Sequence, residues 1–220
     1  MKKLEGVLCN LEGTLVNTRS LILLSFRHTF ERHGLAQPKI QEILDVIGLP
    51  IGACFQVLSK THAFPNTEKF VKTYFRYKQN NPEHATLFPH TKHTLQWMKD
   101  EKIPVSLVVS QSRTATFNLL EHFGITGMFH TVITREDAQN QKPHPESLQR
   151  ALEYMNVRPY RSIMLGHTPN DIIAGKAAHC RQSIAIAHAE VSTPLKRARP
   201  DQVINSTIAL IPIMKRILRS

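Results

Sequence analysis

Short apolar runs alternate with helical patterns along most of this chain, and that alternation limits the possible folds more than any other feature. The runs are four to six residues long, the length of strands buried on both faces: residues 4 to 9, Val105 to Val109, Thr131 to Thr134, Ser162 to Leu165 and Ser183 to Ala187. Apolar residues recur every three to four positions in Thr91 to Lys99, Ala115 to Phe123, Pro145 to Met155 and Asn170 to Ala178. This order predicts an α/β fold, with a parallel sheet covered by helices on both faces.

One long segment, residues 18 to 82, does not follow the alternation. It contains helical patterns and no strand pattern, with helices predicted over Leu21 to His33, Pro38 to Ile47, Ile51 to Thr61 and Thr67 to Gln79. Turn-forming residues mark its two ends, Asn17-Thr18 and Asn80-Asn81-Pro82. We therefore predict a core domain, 1–17 and 83–220, and a helical cap domain, 18–82, inserted after the first strand.

The composition is that of a globular protein, with 41% hydrophobic residues in a chain of 220. No run approaches the ~18 apolar residues that a membrane span requires, and the apolar stretch after Lys2-Lys3 is too short for a signal peptide. We therefore expect a cytoplasmic protein without a membrane span. The cysteines, Cys9, Cys54 and Cys180, show no CxxC spacing and are expected to be reduced thiols.

The chain carries 28 Lys and Arg against 17 Asp and Glu, a net charge of +11, which favours anionic partners. A small phosphorylated molecule, a free phosphate or sulfate ion and an acidic protein all meet this condition. Nucleic acid is less favoured, because the basic clusters Lys196 to Arg199 and Lys215-Arg216 lack interleaved aromatic residues. The second cluster ends a predicted helix, Thr207 to Leu218, which Pro212 is expected to kink or break.

Polar segments follow the predicted strands of the core. They are Asn10 to Leu15, Ser110 to Ser112, Lys142 to Pro145 and Gly166 to Asp171. In open α/β sheets, ligands bind beyond the carboxyl ends of the strands, so these segments predict the position of the functional site.

In their order, these segments resemble the motifs of the haloacid dehalogenase superfamily, specifically its phosphoglycolate-phosphatase-like members. Cys9 to Thr18 stands where that family has F-D-x-D-G-T-L-x-D-S, and Ser110 stands at its Ser or Thr. Lys142 to Pro145 matches its K-P-x-P, and Gly166 to Gly175 resembles its G-D-x-x-x-D-x-x-A-G. The resemblance covers nearly the whole chain. It implies a Rossmann-like core, an inserted helical cap and hydrolysis of small phosphate monoesters.

The chain departs from the family pattern at three positions. Asn10 replaces the aspartate that attacks phosphorus to give an aspartyl phosphate, and an amide has no anionic oxygen for this attack. Glu12 replaces the general acid and is one methylene longer, which moves the carboxyl by roughly 1.5 Å. His167 replaces a metal-binding aspartate; it is alternatively a polar loop residue or, when protonated, an anion contact.

The same changes alter the metal site that the resemblance implies, which comprises Asn10, Glu12, His167 and Asp171. Of four carboxylates in the family, two remain here, Glu12 and Asp171. Mg²⁺ prefers oxygen ligands, so an imidazole nitrogen is a poor replacement. We therefore expect no required cofactor and at most weak Mg²⁺ binding.

The groups that would hold an anion are retained. They are the backbone N–H groups of the turn that includes Leu11, Gly13 and Thr14, the Ser110 hydroxyl and the Lys142 ammonium. Together they predict a phosphate or sulfate site.

Structural interpretations of these residues stay open. Asn10 and Glu12 are also suited to shaping a turn, Ser110 to capping the following helix, and Lys142 to a solvated loop. Asp171 is also suited to the N-terminus of the next helix.

The preferred hypothesis is a catalytically impaired pseudo-phosphatase that binds phosphate or a protein partner. The first alternative is an active hydrolase in which Glu12 and Asp171 hold a metal and water attacks phosphorus directly. The second is a basic interaction module that uses the cap or the late basic clusters. Turnover with Mg²⁺ distinguishes the first two, and salt-dependent binding to polyanions identifies the third.

Overall fold

The computed structural model describes residues 3–59, 67–188 and 191–219. The chain forms two compact units, one of Met1–Asn17 with Thr86–Ser220 and one of Thr18–Ala85, which we call the core unit and the cap unit. The second boundary lies three residues later than the 82/83 boundary taken from the sequence. The reason is a 3-10 turn, Pro82–His84, that continues the cap unit.

The strands are short and lie in the core unit. In chain order they are β1 (Gly6–Cys9), β2 (Val16–Asn17), β3 (Thr86–Leu87), β4 (Val105–Val108), β5 (Thr131–Ile133), β6 (Ser162–Gly166), β7 (Gln182–Ile186) and β8 (Gln202–Ile204). Six of them form one parallel sheet in the order β5-β4-β1-β6-β7-β8. This sheet confirms the predicted α/β, Rossmann-like fold. Strands β2 and β3 form a separate antiparallel ribbon.

Helices surround the sheet and make up the cap unit. In chain order they are α1 (Arg19–Arg32), α2 (Ile40–Val46), α3 (Ile51–Leu58), α4 (Thr67–Asn80), α5 (Thr91–Asp100), α6 (Arg113–His122), α7 (Glu146–Met155), α8 (Pro169–Ala177), α9 (Thr193–Arg197) and α10 (Leu210–Arg219). Those predicted from periodicity are present within a few residues of their expected bounds. Thr61, the predicted end of the third cap helix, lies outside the described residues.

The core of the sheet unit is a continuous apolar cluster. Leu8 of β1 and Met164 of β6 are fully buried against Leu148 and Leu152 of α7. Helix α8 also packs closely against the sheet, because a Cβ added at Gly175 would meet the Ser183 hydroxyl at 2.4 Å and Met164 Cβ at 2.8 Å. A residue with a side chain at this position would therefore push α8 away from the sheet.

The cap unit has its own aromatic core. Phe26 and Phe30 of α1, Phe55 of α3 and Tyr74 of α4 are buried together, and the Phe26 ring lies 5.2 Å from that of Phe55 and 4.9 Å from that of Tyr74. Tilted aromatic pairs at these distances are stabilising beyond the area they bury.

Helix α10 continues through Pro212, so the break, one of the two predicted outcomes, is wrong. Thr207–Ala209 forms a 3-10 turn and α10 begins at Leu210, which places Pro212 in the first turn. Proline is tolerated in the first turn of an α-helix, because the first N–H groups of a helix have no acceptor within that helix. Among the described residues, no helix combines the length and the apolar character that a membrane crossing needs.

Candidate active site

The polar segments identified in the sequence meet at one edge of the sheet. Asn10 directly follows β1, and Ser110 follows the end of β4 by two residues. His167 directly follows β6. Because β4, β1 and β6 are adjacent and parallel, their carboxyl ends lie side by side.

The Asn10 side chain is fixed by contacts on both sides of its amide. Its Oδ1 accepts a hydrogen bond of 2.9 Å from the Leu11 N–H, while its Nδ2 donates to Asp171 Oδ2 at 3.3 Å. The same nitrogen lies 3.3 Å from His167 Nδ1. Asn10 therefore contacts the loop that includes His167 and Asp171 through a nitrogen that carries hydrogens.

Asp171 joins this amide to the start of α8. It forms a capping box with Thr168, in which Thr168 Oγ1 accepts from the Asp171 N–H and Asp171 Oδ2 accepts from the Thr168 N–H at 3.0 Å. Oδ2 also accepts from Thr168 Oγ1 at 2.8 Å and from the His167 N–H at 3.2 Å. The helix-terminus interpretation of Asp171 is thus correct, and it accompanies contacts within the site.

Lys142 completes the network as a buried ion pair. Its Nζ donates to Asp171 Oδ1 at 2.7 Å and to the Val108 carbonyl at 2.7 Å, and the two charged side chains are 5% and 1% exposed. Burial alone would raise the pKa of Asp171, but the Lys142 ammonium and the hydrogen bonds outweigh it and lower that pKa. The solvated-loop interpretation of Lys142 is therefore wrong.

His167 lies over the turn between β1 and β2. Its ring fills the space where a Cβ on Gly13 would stand, at 2.4 Å, and its Nδ1 is 3.4 Å from Thr14 Oγ1. The side chain is 36% exposed. Removal from water lowers the pKa of His167, the nearby Asp171 carboxylate opposes that shift, and Lys142 adds to it. The ring is therefore neutral at pH 7.

The turn itself offers an anion fewer donors than the sequence suggested. The N–H of Leu11 donates to Asn10 Oδ1, that of Gly13 to the Val16 carbonyl at 2.8 Å, and that of Thr14 to the Leu11 carbonyl at 3.2 Å. Gly13 adopts φ +69°, the left-handed conformation that closes this turn. These three N–H groups are used within the protein, which corrects the predicted cradle of backbone donors.

Ser110 does not cap the helix that follows it. Ser112 does, because its Oγ accepts from the Ala115 N–H at 3.3 Å. Ser110 is exposed at the strand edge, and its hydroxyl is available to solvent. The cap interpretation of Ser110 is wrong, and the phosphate contact stays a prediction.

Mg²⁺ does not fit this donor set. Both Asp171 oxygens already accept hydrogen bonds, and Asn10 turns its Nδ2 rather than its oxygen toward them. His167 contributes nitrogen, which suits Mg²⁺ poorly. Within the described ranges, no three His, Cys, Asp or Glu side chains cluster as a metal site would require.

One residue of this region gave no signal in the sequence. His188 follows β7 and its Nε2 lies 3.1 Å from the Thr14 carbonyl, 174 positions earlier in the chain. No local motif marks it, because the contact depends on β7 and β1 belonging to the same sheet.

Comparison with known proteins agrees with this architecture. The profile of the haloacid dehalogenase-like hydrolase family matches residues 7–185. A pyrophosphatase PpaX of Oceanobacillus iheyensis is 31% identical over 214 residues, which are 96% of this chain and 97% of that protein. A PpaX of Bacillus mycoides is 28% identical over 98% of this chain and 99% of its own.

Solved structures share the fold. A predicted phosphoglycolate phosphatase of Haemophilus somnus superposes with a TM-score of 0.85 at 21% identity, over 97% of this chain and 99% of that one. A haloacid dehalogenase-like hydrolase of Streptococcus pneumoniae gives 0.81 at 19% identity, over 97% and 99%. With the family profile covering most of the sequence, the chain belongs to the haloacid dehalogenase-like hydrolase family.

Proposed function

We propose that this family member recognises a phosphate group without hydrolysing it through an aspartyl phosphate. The observation that best supports this is the orientation of Asn10, at the position where the resemblance implies the nucleophile. Its Oδ1 accepts from Leu11, and its Nδ2 donates to Asp171. An amide held in this way presents no anionic oxygen to phosphorus.

The neighbouring thiol is no substitute nucleophile. Cys9 directly precedes Asn10 and is fully buried, and this burial raises its pKa to about 12. The thiolate, which is the reactive form, is therefore negligible at neutral pH.

Two side chains support phosphate recognition. Ser110 presents an exposed hydroxyl beside the site, and Lys142 carries three N–H donors, of which Val108 and Asp171 use two. The third donor of Lys142 and the Ser110 hydroxyl are the groups that we assign to the anion.

A second proposal is an active hydrolase in which water attacks phosphorus directly. The end-to-end similarity to the O. iheyensis pyrophosphatase favours it. Glu12 keeps a carboxyl at the family's acid–base position, and its Oε1 is buried. An acidic protein partner and a cytoplasmic location stay predictions.

Calorimetric titration with inorganic phosphate in EDTA tests the first proposal. We expect saturable binding that Ser110→Ala weakens and Thr126→Ala leaves unchanged, since Thr126 precedes β5 and lies at the opposite edge of the sheet. In parallel, hydrolysis of pyrophosphate and p-nitrophenyl phosphate is measured with and without Mg²⁺. Turnover that Ser110→Ala abolishes would replace the first proposal by the second, and absence of phosphate binding would refute the first.

A further inference from the structure

We propose that His188 is a positioning residue, which holds the turn between β1 and β2 and, through it, the His167 and Asn10 side chains beside the anion site. The inference rests on the proposed phosphate recognition. Its starting point is the contact between His188 Nε2 and the Thr14 carbonyl at 3.1 Å. A carbonyl only accepts, so Nε2 carries the hydrogen and His188 is the donor.

The His188 ring is also fixed by stacking. It lies 3.3 Å from the Phe88 ring, centroid to centroid, at an angle of 8°. The Phe88 N–H in turn donates to the Leu15 carbonyl at 3.0 Å. Two carbonyls of one turn are therefore held by two residues whose rings stack, that of Thr14 by His188 Nε2 and that of Leu15 by the backbone N–H of Phe88.

These two hydrogen bonds are connected to the site through Thr14. Thr14 is fully buried, and its Oγ1 lies 3.4 Å from His167 Nδ1. His167 Nδ1 in turn lies 3.3 Å from Asn10 Nδ2. A displacement of the Thr14 backbone would therefore move the side chain that contacts His167 and, through His167, change the position of Asn10.

The surroundings of His188 disfavour its charged form. Burial lowers its pKa, and hydrogen bonds to the backbone of Thr14 and Asn205 oppose that shift only in part.

The test compares His188→Phe, which keeps the stacked ring and removes the donor, with His188→Gln, which keeps an N–H at similar reach. The control is His93→Phe on the exposed surface of α5. We expect His188→Phe to weaken phosphate binding about tenfold, and His188→Gln to remain within about threefold of the wild type, because one buried hydrogen bond is lost in the first variant only. Amide resonances of residues 11–16 should shift in His188→Phe and not in the control.

Two results would overturn the inference. One is unchanged amide resonances in the turn of a folded His188→Phe protein, and the other is equal loss of phosphate affinity in His188→Phe and His188→Gln. If the wild type binds no phosphate, the proposed function fails, and the resonances alone then decide whether His188 positions the turn.

Discussion

Replacing Asn10 by aspartate tests how the site is neutralised. The new carboxylate would stand about 3.3 Å from Asp171 Oδ2, where the amide Nδ2 now donates. At an effective dielectric constant of about 20, two unit charges at this distance repel by about 5 kcal/mol. The new carboxyl escapes this repulsion if it is protonated. With an ordinary pKa near 3.9, protonation at pH 7 costs about 4 kcal/mol, and this value is the upper limit of the destabilisation. Lys142 offsets part of this, so we expect Asn10→Asp to lower the free energy of unfolding by about 2–3 kcal/mol.

Urea unfolding in EDTA measures this effect, with Asn10→Ala as the matched control. Alanine removes the same donor without adding a charge, and should cost about 1 kcal/mol less than aspartate. We expect 10 mM Mg²⁺ to restore little stability to Asn10→Asp, because His167 still contributes nitrogen. In the triple variant Asn10→Asp, Glu12→Asp and His167→Asp, a site with a Kd near 1 mM would add about 1.4 kcal/mol.

Two outcomes would refute this reasoning. If Asn10→Asp is as stable as the wild type at pH 7 in EDTA, a carboxylate at position 10 is not repelled by Asp171 as this reasoning requires. If the folded triple variant gains nothing from Mg²⁺, the geometry of the site has diverged from that of the family beyond these three side chains.

Three further changes have defined consequences. Lys142→Met leaves a buried carboxylate without its cation and should lower the free energy of unfolding by about 3–5 kcal/mol in urea titration, whereas a loss below 1 kcal/mol would contradict the ion pair. Glu5→Gln should cost about 1 kcal/mol at pH 7, because bonds to Arg158 hold the pKa of Glu5 at about 2 against a usual 4.5. A lowered pKa stabilises above the unfolded value, so the difference from wild type should vanish as pH falls from 4.5 to 2; a difference that persists at pH 2 would point to packing. Gly13→Ala should cost about 2 kcal/mol through its φ of +69° and its clash with the His167 ring, and combining it with His167→Ala should recover the steric part in a double-mutant cycle.

The sequence was sufficient for five of the six strands of the central sheet and insufficient for β8 and for the β2–β3 ribbon. Strands β1 and β6 are continuous buried runs, GVLC and SIMLG, which periodicity detects directly. The strands of the β2–β3 ribbon have two residues each, too few to show any period, and β8 is the short run QVI, which was not among the predicted strands. Their pairing is determined by tertiary contacts, as is helix α9, which a five-residue pattern could not reveal.

The candidate site was also predictable from the sequence only in part. Asn10, Lys142 and Asp171 were identified because each lies in a motif whose order along the chain is informative. The contacts between these residues could not be predicted from the sequence, since the Lys142–Asp171 ion pair joins positions 29 residues apart through the packing of two loops. Ser110 and Ser112 are equally good caps by residue type, and only the backbone geometry of α6 selects Ser112.

The charges of this site explain how it could hold an anion without a metal ion. The family pattern has four carboxylates and one lysine, so a bound Mg²⁺ leaves one net negative charge. Here Asn10 and a neutral His167 replace two of the carboxylates, and Lys142 balances Asp171, so Glu12 again leaves one net negative charge. The two arrangements present an incoming phosphate with the same net charge, although only the first includes an electrophilic cation. Under the first proposal, phosphate affinity should therefore be insensitive to Mg²⁺ in this chain. The same proposal holds that the substitutions remove the stabilisation of a transition state, because that stabilisation depends on the cation and on an anionic nucleophile.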